Sequence, residues 1–138
     1  MDGDDKLIAA ALEQVKSAYA PYSRFQVGAA VLAGSGRIYG GANVENASYG
    51  AAVCAERAAV CAAVNAGERT LRAIAVCGGL DGVVTDYCPP CGICRQVLRE
   101  FCNPGEMRVL LARSATDCRA LTLEQLLPES FGPEALHG

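Results

Sequence analysis

Leu71-Arg72-Ala73-Ile74-Ala75-Val76-Cys77 is a nearly continuous apolar run. A strand with one wet face alternates apolar and polar residues. A run of this kind is expected where both faces of a strand are covered. It predicts a central strand with helices above and below it.

The flanking sequence supplies those layers. Upstream, Ala52 to Ala66 is rich in Ala and Val and reads as a buried helix closed by Gly67. Before it, Phe25 to Leu32 and Ile38 to Val44 read as two strands joined by a hairpin turn at Gly34-Ser35-Gly36. Leu7 to Tyr19 reads as an amphipathic helix, with Ile8, Ala11, Leu12, Val15 and Tyr19 at helical spacing and Asp4 or Asp5 as its cap. Downstream, Pro89-Pro90 precedes a helix from about Cys91 to Cys102, ended by Asn103-Pro104-Gly105. Met107 to Ala112 reads as a strand, and a short element around Ala120 to Leu127 leads into the tail Pro128 to Gly138. The order helix, hairpin, helix, strand, helix, strand predicts a three-layer α/β domain with a mixed sheet.

Bulk composition narrows the partners. The chain has 138 residues, of which 51% are hydrophobic and 20% charged, with a net charge of −3. That length suits one domain, taken as residues 1–138, with a real core. The acidic balance lacks the electrostatic footprint of a nucleic-acid binder. No apolar segment reads as a membrane span, and the acidic start Met1-Asp2-Gly3-Asp4-Asp5-Lys6 lacks the features of a signal peptide. A cytoplasmic protein acting on a small neutral molecule is expected. In that setting eight cysteines point to thiols and a metal rather than disulfides. The single histidine, His137, sits near the C-terminal end, so a general base in the core must be a carboxylate such as Glu56 or Glu45.

Cys54-Ala55-Glu56 and Pro90-Cys91-Gly92-Ile93-Cys94 carry the chemistry. Closed structural zinc sites use four protein ligands, and catalytic ones use three and keep a position for water. Three thiols with an unspent glutamate two residues from the first therefore read as a metal that activates water. All three cysteines fall at predicted helix N-termini, whose free N–H groups and partial positive charge stabilise thiolates. Three thiolates and Zn²⁺ sum to −1, and Arg57 is the candidate to offset that charge. Cys88 completes a C-x-x-C-x-x-C run and is the residue that could close the site as a fourth ligand. Cys61, Cys77, Cys102 and Cys118 read as small buried residues.

These motifs resemble the small homotetrameric cytidine deaminases, over nearly the whole chain. The resemblance rests on Pro21-Tyr22-Ser23-Arg24-Phe25, Val27-Gly28-Ala29-Ala30 and Asn43-Val44-Glu45-Asn46-Ala47-Ser48-Tyr49-Gly50. It extends through Cys54-Ala55-Glu56-Arg57, Cys91 to Leu98, Leu127-Pro128 and Phe131-Gly132-Pro133. One departure is Pro89, where serine is common; the Pro-Pro step stiffens the entry to the helix.

The resemblance implies a five-stranded mixed sheet in an α/β/α sandwich. It implies one Zn²⁺ per chain on Cys54, Cys91 and Cys94, with Glu56 as the proton shuttle. The Ala55 N–H would bind the pyrimidine O2, Asn43 and Glu45 the ribose hydroxyls, and Phe25 would pack on the base. Tyr49 and Phe131 would reach a neighbouring subunit's site in a homotetramer. The implied reaction is the hydrolytic deamination of cytidine and deoxycytidine to uridine and deoxyuridine in pyrimidine salvage. Water activated by the metal attacks C4, and Glu56 moves its proton to N3 before ammonia leaves. Two alternatives stand beside it: deamination of another amino-heterocycle nucleoside, and a non-catalytic zinc-binding assembly module.

Overall fold

The computed structural model describes residues 2–137. Helix α1 (Asp2–Gln14) runs into a single 3-10 turn at Val15–Ser17. Strands β1 (Phe25–Ala33) and β2 (Ile38–Ala42) form the hairpin, and helix α2 (Ala55–Asn65) leads into β3 (Leu71–Leu80). Helix α3 (Gly92–Arg99), strands β4 (Arg108–Ala112) and β5 (Cys118–Thr122), and short helices α4 (Leu123–Leu126) and α5 (Glu134–His137) complete the chain.

The sheet order is β2-β1-β3-β4-β5. The β3/β4 pair is parallel and the other three pairs are antiparallel. The apolar run that predicted a doubly covered strand lies at the centre, fully buried from Ala73 to Cys77. Its alternate residues serve two cores. Ile74 and Val76 pack with Ala29, Val31, Val109 and Leu111 against Ala59, Val60 and Ala63 of α2 and Leu98 of α3. Ala73, Ala75 and Cys77 pack with Ala30 and Leu110 against Leu7, Ile8, Ala11 and Val15 on the other face. Burial of each large aliphatic side chain contributes about 1.5–3 kcal/mol. The expected three-layer α/β/α architecture and mixed five-stranded sheet are both present.

Several boundaries differ from the sequence reading. Asp4 and Asp5 lie inside α1 rather than capping it, and Asp4 pairs with Arg108 of β4 at 2.5 Å. Regular helix ends at Gln14, so Tyr19 is no part of the apolar face: it is 56% exposed and bridges Val44. Helix α2 starts at Ala55 because Cys54 is extended (φ −72°, ψ 151°) and acts as its N-cap. Helix α3 stops at Arg99, where the Phe101 N–H turns back to the Leu98 carbonyl at 3.1 Å. β5 replaces the first part of the vague element expected around Ala120. Thr122 then starts α4 through a reciprocal capping box with Gln125. Of the cysteines expected to be small buried residues, Cys77 is buried and Cys102 half-buried, whereas Cys61 and Cys118 are exposed. All eight cysteines are free thiols.

Two glycines set the distance between layers. At Gly28 an added methyl group would collide with the Ala11 carbonyl and lie 2.6 Å from the Val15 nitrogen, so α1 sits directly on the β1 backbone. At Gly41 it would collide with the Ala59 nitrogen and lie 2.8 Å from the Ala55 carbonyl. Gly41 therefore fixes the depth of α2 one residue beyond Cys54. Overpacking of this kind costs about 1–3 kcal/mol. Gly41→Ala is expected to lower the urea midpoint of the folded protein at unchanged m-value and to weaken zinc retention. Gly50→Ala, which adds its methyl to open space, provides the stability reference. Equal midpoints for the two variants would contradict this packing.

Candidate active site

Two helix N-termini meet at the sulfurs. Cys54 caps α2 and Cys91 caps α3, with Cys94 in the first turn of α3. Their three Sγ atoms lie within 4.8 Å of one another, and Cys91 and Cys94 are 3.5 Å apart. Tetrahedral zinc with Zn–S bonds of ~2.3 Å needs sulfurs about 3.8 Å apart. The donor set fits that ion. Among the described residues this is the only such cluster, and Cys88 lies outside it. Burial pushes the Cys88 thiol up to about 11, with the charge of Glu56 adding to the effect.

Each end is held from behind. Val44 and Val53 exchange two backbone hydrogen bonds of 2.9 Å, which fixes the residue before Cys54. Pro90, before Cys91, is fully buried. Its carbonyl accepts 2.8 Å from Arg95 Nε, while Arg95 Nη1 donates to the Leu126 carbonyl at 2.7 Å.

Electrostatics divide the thiols. Burial pushes Cys54 and Cys94 above the usual thiol range. At Cys91 desolvation is outweighed by the Cys94 N–H, the Cys94 and Cys54 side chains and the Ile93 N–H together, and its thiol is held below that range. Metal binding here must displace thiol protons, so metal affinity rises with pH. Burial, opposing the pull of the cysteine charges, is the largest influence on the half-buried Arg57; the Cys54 sulfur and the charges of all three cysteines outweigh it and hold the guanidinium charged. Arg57 Nη2 donates to the Ala52 carbonyl at 3.0 Å. Its Nε is buried with no hydrogen-bond partner among the described residues. That orphaned donor beside ionisable sulfurs is further support for an anionic metal–thiolate centre.

Glu56 is 5% exposed, in the first turn of α2. Burial raises its carboxyl above the ordinary value, against its own N–H, the Cys94 side chain and the Arg57 charge. Ala55, the first residue of α2, is fully buried, and its N–H belongs to the set with no intrahelical acceptor.

The loop after β2 organises the rest. Asn43 donates from Nδ2 to the Phe25 carbonyl at 2.8 Å and accepts at Oδ1 from the Val27 N–H at 2.9 Å. It stitches the end of β2 to the start of β1, and one amide hydrogen and one lone pair remain free. Glu45 Oε1 accepts from the Tyr22 and Ser23 N–H groups at 2.9 and 3.1 Å, and Oε2 accepts from the Ser23 hydroxyl. A cavity of about 340 Å³ opens beside it, lined by Tyr22, Ser23, Glu45, Asn46, Tyr49 and Ala52. The sulfurs and Glu56 lie outside that lining. Phe25 is 41%, Phe131 61% and Tyr49 76% exposed.

Of the residues the sequence reading named, the fold gathers Cys54, Cys91 and Cys94 into one cluster able to hold a metal, with Glu56 buried in the first turn of α2. The sequence reading missed Ser23 and Tyr22 as partners of Glu45, and Arg99 as the partner of Ser130 and Glu134 on either side of Phe131. Ser23 lay within the quoted Tyr22-Ser23-Arg24 motif, but its pairing with Glu45 spans 22 residues and leaves no local signal.

An α/β/α domain that presents three sulfurs and a buried acid at converging helix starts has the architecture of a metal-dependent hydrolytic enzyme. The sequence model of the cytidine and deoxycytidylate deaminase zinc-binding region matches residues 1–110. The chain is 46% identical over 132 residues to the cytidine deaminase of Sporosarcina psychrophila, covering 96% of this chain and 93% of that one. It is 44% identical over 126 residues to that of Mycobacterium tuberculosis H37Rv, covering 91% and 87%. The solved cytidine deaminase of Burkholderia pseudomallei superposes with a TM-score of 0.80 at 43% identity, covering 91% and 97%. The chain belongs to the zinc-binding cytidine and deoxycytidylate deaminase family.

The Ser23 hydroxyl, followed by the Ser23 and Tyr22 N–H groups, holds the Glu45 carboxyl below its ordinary range. A carboxylate depressed in the folded state contributes stability above its unfolded pKa and loses it as pH falls through the folded value. Glu45→Gln should therefore lower the urea midpoint at pH 7 and lose less of it than wild type on acidification below the carboxylate range. Parallel curves for the two proteins would contradict this role.

Proposed function

We propose that this protein hydrolyses the exocyclic amino group of cytidine and deoxycytidine, giving uridine or deoxyuridine and ammonia. The observation that carries the reading is a buried Glu56 set beside three sulfurs within 4.8 Å of one another. Cys54, Cys91 and Cys94 would hold the zinc. Zinc, when bound, supplies Lewis-acid activation of a water molecule.

The chain's own residues do the rest. Glu56 takes a proton from the attacking water and delivers it to N3 of the ring. As the C4–O bond completes and the C4–N bond breaks, Glu56 passes the second proton to the departing amino group. Its raised proton affinity suits both directions of transfer. The Ala55 N–H takes the pyrimidine O2. Arg57 offsets the thiolate charge. Asn43 offers its remaining amide hydrogen and lone pair to the ribose, and Glu45 its carboxylate, with Phe25 against the base. Because Asn43 and Glu45 are each tied to β1 or to the turn before it, the sugar site is rigid before substrate arrives, which lowers the cost of binding.

The large exposure of Tyr49 and Phe131 in one chain supports a homotetramer in which each reaches a neighbour's site. Among the described residues no helix is long and apolar enough to cross a membrane. We place the enzyme in the cytoplasm, in pyrimidine salvage. The two cores flanking one sheet support a single domain over residues 1–138.

Loss of a general acid–base typically costs ~10²–10⁴-fold, and here one group serves several transfers. Glu56→Gln is expected to retain zinc while losing turnover at the upper end of that range or beyond, measured as the absorbance change of cytidine. A zinc-loaded variant that kept more than about a tenth of wild-type turnover would exclude Glu56 as the shuttle.

A further inference from the structure

The helix that carries two of the sulfurs also grips the C-terminal segment. Arg99, the last residue of α3, is 8% exposed. Its Nε donates to the Ser130 hydroxyl at 2.8 Å, and its Nη1 and Nη2 donate to the two oxygens of Glu134 at 3.1 and 2.6 Å. One turn earlier on the same helix, Gln96 Nε2 donates to the Phe131 carbonyl at 2.9 Å. Gly132 lies flat on the guanidinium: a methyl group there would stand 2.6 Å from Nη1 and from Nη2. Just before this stretch Glu129 takes a left-handed turn (φ 50°). The tail is thus defined on both sides of Phe131, while Phe131 itself is 61% exposed.

A buried arginine spending its whole fork on a surface segment is unusual unless that segment must sit in one place. Bidentate arginine–carboxylate pairing fixes geometry as well as adding affinity. Both ends of α3 then serve one purpose. Its start holds the Cys91 and Cys94 sulfurs, and its end holds the segment that carries Phe131.

We propose that Arg99, with Glu134, Ser130 and Gln96, is a positioning residue that presents Phe131 as a rigid arm to the nucleoside site of an adjacent subunit. This rests on the reading of Phe131 given above. Arg99 touches no substrate; it acts only through the ring it aims.

The test is a mutant cycle with cytidine as substrate and zinc content checked for every variant. Glu134→Gln loosens the clamp from its exposed side, where its side chain is 67% accessible, and so leaves the core intact. Arg99→Lys removes the fork while keeping the charge. Each is expected to raise KM about tenfold with a smaller change in kcat, the scale of a lost charge-assisted contact. In a Phe131→Ala background the same changes should cost less than about twofold, because the ring they position is gone. If Phe131→Ala impairs the enzyme but the clamp variants are silent, or add their full effect to it, the positioning role of Arg99 is wrong and the reading of Phe131 stands. If Phe131→Ala is itself silent, the reading of Phe131 falls, and the inference with it.

Discussion

Three cysteine sulfurs within 4.8 Å of one another are the constraint around which the structure is arranged. Two unit charges about 4 Å apart cost roughly 4 kcal/mol at an effective dielectric constant of 20, and here a carboxylate is buried beside them. Such a cluster exists in ionised form only with positive charge to balance it. The fold supplies part of that charge through the starts of α2 and α3 and through Arg57, and a divalent ion supplies the rest. This is why the two helix starts are fixed so firmly. Gly41 sets the depth of α2, the Val44–Val53 pairing sets its entry, and buried Pro90 with Arg95 sets the entry of α3.

The same economy governs the loop after β2. Glu45 lines a pocket, Asn43 lies two residues before it, and both are already engaged with protein groups. In the proposed reading their structural and binding roles coincide. An amide that staples two strands is held in one rotamer, and a held rotamer recognises a sugar at little entropic cost. The exposed aromatics follow the opposite logic. Tyr49 and Phe131 have apolar surface that the described residues do not cover, and in the proposed assembly a neighbouring copy covers it.

Much of this was legible in the sequence because its signals are local. The apolar run at Leu71–Cys77 announced a doubly covered strand, and cysteine spacing with an adjacent acid announced the metal chemistry. β5 was missed because Cys118, Arg119 and Ala120 are all exposed. An edge strand of this kind has no buried face to print an alternating pattern. The end of α1 was overrun because Tyr19 kept the helical spacing although the backbone had already left the helix. Arg99 carried no signal at all: its partner Glu134 is 35 residues away, and a single arginine at a helix end reads as an ordinary dipole companion. Long-range polar pairing is invisible to local periodicity, and it is through such pairing that this structure positions its loop and its tail.

The most direct test of the central claim is to strip zinc from the purified protein, restore it, and follow cytidine in ¹⁸O-labelled water. The account predicts about one zinc per chain, as a single three-cysteine site requires. It also predicts that deamination is lost on stripping and regained on reloading, with ammonia released in step with uridine carrying ¹⁸O at C4. A zinc-loaded protein that leaves cytidine unchanged, or activity that survives removal of the metal, would contradict it.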